Sequence, residues 1–112
     1  MRGLSTHILD TARGRPAAGV SVQLWRLTGE RRLLGTYTTN EDGRAALLSG
    51  DALHVGVYEL VFAVGAYFRT EASPEPAFLE DVVVRFGVSD AGAHYHVPLL
   101  VSPYGYSTYR GS

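Results

Sequence analysis

The feature that most limits what this chain can become is its punctuation. Thirteen Gly and five Pro cut it into short pieces, with turn clusters at Arg13-Gly14-Arg15-Pro16, Thr28-Gly29-Glu30, Glu41-Asp42-Gly43, Ser73-Pro74-Glu75-Pro76, Ser89-Asp90-Ala91-Gly92 and Ser102-Pro103. Glycine adopts turn conformations that other residues resist, and proline cannot donate to a backbone ladder, so such clusters end regular elements. The runs between them are rich in Val, Leu, Tyr and Phe and are of strand length. The pattern predicts an all-β chain with strands near 4–10, 20–28, 32–39, 44–48, 56–64, 82–87, 94–101 and 104–110. About eight short strands at this spacing close as a sandwich or a barrel. Residues 65–72 are expected to add one or two helical turns. No internal repeat or linker interrupts the 112 residues, which are read as one domain over 1–112.

Composition then narrows the chemistry. Ten Arg against eleven Asp plus Glu leave a formal net charge of −1. That balance excludes the strong basic field of a nucleic-acid binder and the high charge of a disordered chain. No apolar run approaches the roughly 18 residues of a membrane span. The stretch Met1-Arg2-Gly3-Leu4-Ser5-Thr6-His7 lacks the apolar core of a signal peptide, so a cytoplasmic location is expected. Cysteine and lysine are both absent, which removes disulfides, thiolate nucleophiles, Cys–zinc sites and Schiff bases together. Imidazoles, carboxylates, guanidinium groups and hydroxyls remain.

Alternation assigns faces to the strands. Tyr58, Leu60, Phe62 and Val64 share one side of their run, and Glu59 marks the other as wetter. Tyr95, Val97, Leu99 and Val101 form a continuous apolar side that belongs to a core. The opposite side reads His94, His96, Pro98 and Leu100, half polar and half apolar, and Ser5, His7 and Leu9 repeat that mixture near the start. Sheet faces of this kind usually cover another subunit or a ligand.

Several chemistries compete for the histidines. His94 and His96 lie on one strand face about 7 Å apart by the strand rise. With His7 or His54 as a third ligand they could hold zinc, although no HExxH or carboxylate spacing supports a metal. They could be plain exposed strand histidines. They could also serve as acid and base, since imidazole titrates near neutrality. Arg44 follows the Asp42-Gly43 turn, where it is either a solvated charge or a clamp for an anion or a polarised carbonyl. The tail through Tyr109, Arg110 and Ser112 has the composition of a frayed end, yet its alternating Tyr suit a strand. No G-x-S-x-G elbow and no phosphate-binding glycine loop is present.

Leu4-Ser5-Thr6-His7-Ile8-Leu9-Asp10, Gly14-x-Pro16-Ala17 and Val20-x-Val22-x-Leu24 resemble the start of the transthyretin-related family. His94-Tyr95-His96-Val97-Pro98-Leu99-Leu100 and Ser102-Pro103-Tyr104-Gly105-Tyr106-Ser107-Thr108-Tyr109-Arg110-Gly111-Ser112 resemble its enzymatic branch, the 5-hydroxyisourate hydrolases. The hormone-carrier branch has lysine, glutamate and threonine where this chain has His7, Arg44 and His96, and it lacks the terminal Tyr-Arg-Gly-Ser.

The resemblance implies a two-sheet, transthyretin-like (prealbumin-like) sandwich of about eight strands with one short helix. It implies a homotetramer with active sites at the dimer–dimer interface, acting on a small purine-derived substrate without metal or organic cofactor. The reaction would be ring-opening hydrolysis of 5-hydroxyisourate in urate breakdown. His7, Arg44, His96 and Ser112 would be catalytic, and Tyr109, Arg110, Leu9, Pro98 and Leu100 would bind substrate. His94 would be structural or supporting, and His54 a loop residue. The rival readings are a carrier of an apolar aromatic ligand in the same channel, a metal hydrolase built on His94 and His96, and a purely structural β-domain.

Overall fold

The computed structural model describes residues 3–111. Along the chain come β1 (Gly3–Asp10), β2 (Arg15–Pro16), β3 (Ser21–Arg26), β4 (Arg32–Thr38), β5 (Arg44–Ser49), β6 (Gly56–Phe62), α1 (Val64–Phe68), β7 (Val82–Val88), β8 (His94–Ser102) and β9 (Gly105–Thr108). One sheet runs β2-β1-β8-β9, with β5 also paired to β1, and the other runs β4-β3-β6-β7. The two ends of the chain meet in the first sheet. There β1 and β8 are parallel, in register from Gly3 opposite His94 to Asp10 opposite Val101.

The two sheets face each other across the apolar sides that alternation selects. Ile8 from β1, Leu24 from β3, Leu60 and Phe62 from β6 and Leu99 from β8 are fully buried between them, with Tyr95 and Val97 nearly so. Their side chains supply the main driving force, about 1.5–3 kcal/mol for each large apolar group removed from water. The buried tyrosines keep their hydroxyls satisfied. Tyr58 donates to the His54 carbonyl at 2.9 Å, and Tyr95 accepts the Ser89 and Asp90 amides at 3.1 and 3.2 Å.

Four details depart from the sequence expectation, each for a local reason. Pro16 and Arg15 form the extra two-residue strand β2 because they pair with Leu9 and Asp10 beyond the end of β5. The helix stops at Phe68, since Arg69 is extended and a Thr70–Ser73 turn takes over, with the Thr70 amide donating to Ser73 Oγ at 2.8 Å. β9 ends at Thr108, next to Pro98, which has no N–H with which to continue the ladder. Glu59, on the face expected to be wet, is 7% exposed. β6 lies inside its sheet, and Arg85 and Arg31 reach over Glu59 at 3.1 and 3.6 Å. Among the described residues no helix is long and apolar enough to cross a membrane.

Asp10 closes the end of β1. It is fully buried, and its carboxylate accepts hydrogen bonds from the Tyr67 hydroxyl at 2.8 Å, the Arg13 amide at 3.0 Å and the Arg13 guanidinium at 3.1 Å. Burial pushes its pKa up, but the Tyr67 bond, the Arg13 bonds and the Arg13 charge outweigh that and hold it below the ordinary carboxylate value. Tyr67 sits on α1, so this one carboxylate ties the first strand to the helix. Asp10→Ala is expected to lower stability by about 1–3 kcal/mol through the donors it strands, read as a lower urea midpoint at equal protomer concentration. The group's pKa is depressed on folding, so its contribution is present above the unfolded value and lost as pH falls through the folded one. Acid unfolding should therefore be less steep in the variant.

Candidate active site

The outer face of the β1–β8 sheet is laid out in rows by strand register. The parallel pairing sets Ser5 beside His96, His7 beside Pro98 and Leu9 beside Leu100. On the other edge of β1, antiparallel pairing sets Ala46 beside Ser5 and Arg44 beside His7. Paired residues share a face, so Arg44, His7, Ser5 and His96 are held together although they come from both ends and the middle of the chain. His7, Ser5, Leu9, His96 and Leu100 are all half-buried, and Arg44 is exposed.

Arg44 is aimed by the turn before it. Asn40 Oδ1 accepts the Asp42 amide at 2.9 Å and the Arg44 amide at 3.0 Å, while the Asn40 amide donates back to the Arg44 carbonyl at 3.0 Å. The turn presses on β1 at Gly43, which has φ +75° and donates no space. A Cβ there would lie 2.5 Å from the Ile8 carbonyl oxygen. The close approach lets the Ile8 amide donate to the Gly43 carbonyl at 2.8 Å and brings Arg44 alongside His7. No Asp or Glu among the described residues forms an ion pair with the Arg44 guanidinium, which leaves its donors available.

The histidines of β8 share one hydroxyl. Ser5 Oγ lies 2.8 Å from His96 Nδ1 and 3.4 Å from His94 Nε2. The two imidazoles are nearly parallel, with ring centres 6.3 Å apart, close to the separation that the strand rise predicts. Burial lowers the His96 pKa below the ordinary imidazole value, and the Arg44 charge, with those of His7 and His94 whenever they are protonated, pushes it the same way. His96 is therefore neutral near pH 7. Ser5, Thr6, Asn40, Arg44, Ala45, Ala46, His94 and His96 line an open hollow of about 390 Å³, within the range of small-molecule sites. A more apolar hollow under the 69–79 loop carries no histidine, so the chemistry belongs to the first.

The tail continues along β8 in the β9 register. The Gly111 amide donates to the His96 carbonyl at 2.8 Å, and a Cβ on Gly111 would lie 2.7 Å from His96 Cδ2. The glycine therefore lies flat against the imidazole. Thr108 Oγ1 donates to the Pro98 carbonyl at 2.7 Å, and Pro98 is buried beneath the tail instead of being open on the face. Arg110 does not reach the imidazoles of the cluster, although its Nη2 donates to the His94 carbonyl at 3.4 Å. Its guanidinium carbon lies 4.1 Å from the centre of the Tyr95 ring, on the core side of β8, where it anchors the tail. Tyr109 is exposed beside it, and Ser112 lies outside the described residues. His54 is in the loop before β6, its backbone bonded to Tyr58, and among the described residues no three His, Asp or Glu side chains are grouped to hold a metal. Sequence reasoning missed Asn40 and the bridging role of Ser5. The Asn-x-Asp-Gly turn signature was the available signal for the first, and nothing local marks the second.

Known proteins resemble this chain from end to end. A 5-hydroxyisourate hydrolase of Mesorhizobium japonicum is 60% identical over 114 residues, covering 97% of this chain and 91% of the relative. The solved structure of Klebsiella pneumoniae 5-hydroxyisourate hydrolase aligns with a TM-score of 0.81 at 42% identity, over 97% of this chain and 98% of that one. Transthyretin from Sparus aurata aligns with a TM-score of 0.88 at 28% identity, over 99% and 97% of the two chains. The sequence pattern shared by these hydrolases and carriers matches residues 4–111, both partners of the β1–β8 pairing included, and the chain belongs to the HIUase/Transthyretin family.

Proposed function

We propose that this chain hydrolyses 5-hydroxyisourate to 2-oxo-4-hydroxy-4-carboxy-5-ureidoimidazoline in urate breakdown. The observation that carries the reading is the common sheet face of His7, Arg44 and His96, on a chain 60% identical to a hydrolase of that name. Fold alone does not separate hydrolase from carrier, because both branches share it. These three residues do, since the resemblance gives the carrier lysine, glutamate and threonine in their places.

The chemistry is an addition of water across a ring amide. A neutral imidazole takes a proton from water, the water oxygen bonds to the C6 carbonyl carbon, the C–N bond breaks, and the departing nitrogen receives the proton. His7 and His96 share the base and donor roles. Arg44 holds the carbonyl oxygen and stabilises its developing charge, a contribution of about 3–4 kcal/mol for a well-placed donor. Leu9 and Leu100 supply an apolar wall, and Pro98 supports the tail. Tyr109 and Ser112 close the site, with Ser112 hydrogen bonding to substrate or water, and Arg110 contributes by anchoring the tail that carries them. The reaction draws only on water and these side chains. The hollow is open on one side, and we assign its completion to a second copy across the dimer–dimer interface of a homotetramer.

His96→Asn and Arg44→Ala should each lower kcat/KM by about 10² or more, followed by ultraviolet decay of freshly generated substrate, with the elution volume of the assembly unchanged. Full activity in either variant refutes the assignment. Deleting residues 109–112 should likewise abolish most turnover, because it removes the Gly111 contact with His96. Wild-type turnover in that variant would make the tail an ornament.

Titration of His96 followed by NMR should give a midpoint below 6.5, and Arg44→Ala should raise it by removing a neighbouring positive charge. The same depression makes His96 a drain on acid stability. As pH falls below 6.5 the unfolded chain takes up this proton first, so stability declines until the folded midpoint is passed.

A further inference from the structure

One polar atom in the cluster is left over by the proposed reaction. His94 Nδ1 is buried and has no hydrogen-bond partner among the described residues, while His94 Nε2 faces Ser5 Oγ. A neutral imidazole carries one N–H and one lone pair. A buried N–H without an acceptor is among the rarest situations in folded proteins, whereas an unused lone pair is tolerated better. The lone pair therefore belongs on Nδ1 and the hydrogen on Nε2. A protonated His94 would bury the same orphaned N–H and add charge to a cluster that already holds Arg44.

The rest of the hydrogen-bond chain follows from this one atom. His94 Nε2–H donates to Ser5 Oγ, across 3.4 Å. Among the described residues Ser5 Oγ bonds only these two imidazoles, so its single O–H is satisfied within the cluster by donating across 2.8 Å to a lone pair on His96 Nδ1. The His96 hydrogen then sits on Nε2, the ring nitrogen that Ser5 does not engage. Ring reversal is opposed by the tail. Gly111 lies against Cδ2, and a flipped ring would give up the Ser5 bond and turn Nδ1 toward that glycine.

We propose that Ser5 and His94 are positioning residues that fix His96 as its Nε2–H tautomer, so that His96 meets the substrate as a hydrogen-bond donor and His7 accepts the proton of the attacking water. The roles of His96 and His7 rest on the hydrolase reading; the tautomer does not. A neutral imidazole donor polarises a carbonyl without giving up its proton. His7 takes the water proton, the oxygen bonds to carbon, the C–N bond breaks, and His7 returns the proton to nitrogen. His96 hydrogen bonds to the oxyanion and keeps its hydrogen throughout.

Two-bond hydrogen–nitrogen NMR correlations on the full chain, above the His96 midpoint, distinguish a protonated ring nitrogen from one bearing a lone pair. His96→Asn identifies the signals. The wild type should show Nε2–H on both His94 and His96. Ser5→Ala should release His96 into mixed tautomers and lower kcat roughly tenfold or more with KM changed less than about twofold, and Ser5→Thr should restore both. A wild-type His96 protonated on Nδ1 overturns the proposal, as does a Ser5→Ala chain with unaltered tautomer and kcat. Wild-type protein with the Nε2–H signature but no turnover of 5-hydroxyisourate overturns the hydrolase reading instead, and the positioning by Ser5 and His94 stands.

Discussion

The parallel pairing of β1 with β8 is the constraint on which the rest depends. It joins the start of the chain to its end across eight register pairs, Gly3–Asp10 against His94–Val101. Side chains alternate with period two, so a slip of one residue would turn Tyr95, Val97 and Leu99 outward and bring the histidines into the core. The apolar set therefore fixes the register, and the register fixes the site. A slip of two would preserve the faces but set Ser5 beside His94 or Pro98 and undo the Ser5–His96 pairing. Packing energy from one side of the sheet thus specifies the chemistry of the other.

β8 is a strand with two incompatible faces, and the tail is fastened to both. Arg110 lies across Tyr95 on the core side, while Gly111 lies against His96 on the outer side. Between them Pro98 offers no amide, so the ladder lapses at Tyr109 and Arg110 before resuming at Gly111. Where backbone pairing lapses, contacts at either end must hold the segment, and a cation–π contact of this kind contributes about 0.5–1 kcal/mol or more when shielded from water. Glycine at 111 is required by proximity, since any side chain there would strike the imidazole.

Much of this was legible because it is periodic. Alternation placed Tyr58, Leu60, Phe62 and Val64 in the core and grouped His94, His96 and Leu100 on the other side of their strand, as the structure has them. Contacts between distant segments have no such local signature. Arg44 meets His7 only because an Asn40 turn and a glycine without a side chain let β5 lie against β1. Glu59 reads as solvent-facing until two arginines from other segments are seen to cover it. Arg110 reads as a substrate ligand by resemblance, yet the pairing register carries it to the Tyr95 side of β8. Alternation tells a residue's side, and only the fold tells its neighbours.

The electrostatic character of the cluster bears on the kind of reaction it suits. Arg44, His94 and His96 line the hollow, His7 lies beside Arg44 in register, and no Asp or Glu among the described residues lines it. In a serine-type triad a buried carboxylate stabilises the imidazolium that forms when the base takes its proton. Here the neighbours are cationic or neutral, and they oppose that imidazolium. His96 in such a place holds a second proton weakly. That is a poor arrangement for a long-lived charged intermediate and a good one for proton transfer within a single turnover, where the proton taken from water goes directly to the nitrogen released by ring opening. Arg44 completes the match, since the charge it favours is the negative one that builds on the carbonyl oxygen while the proton is in transit.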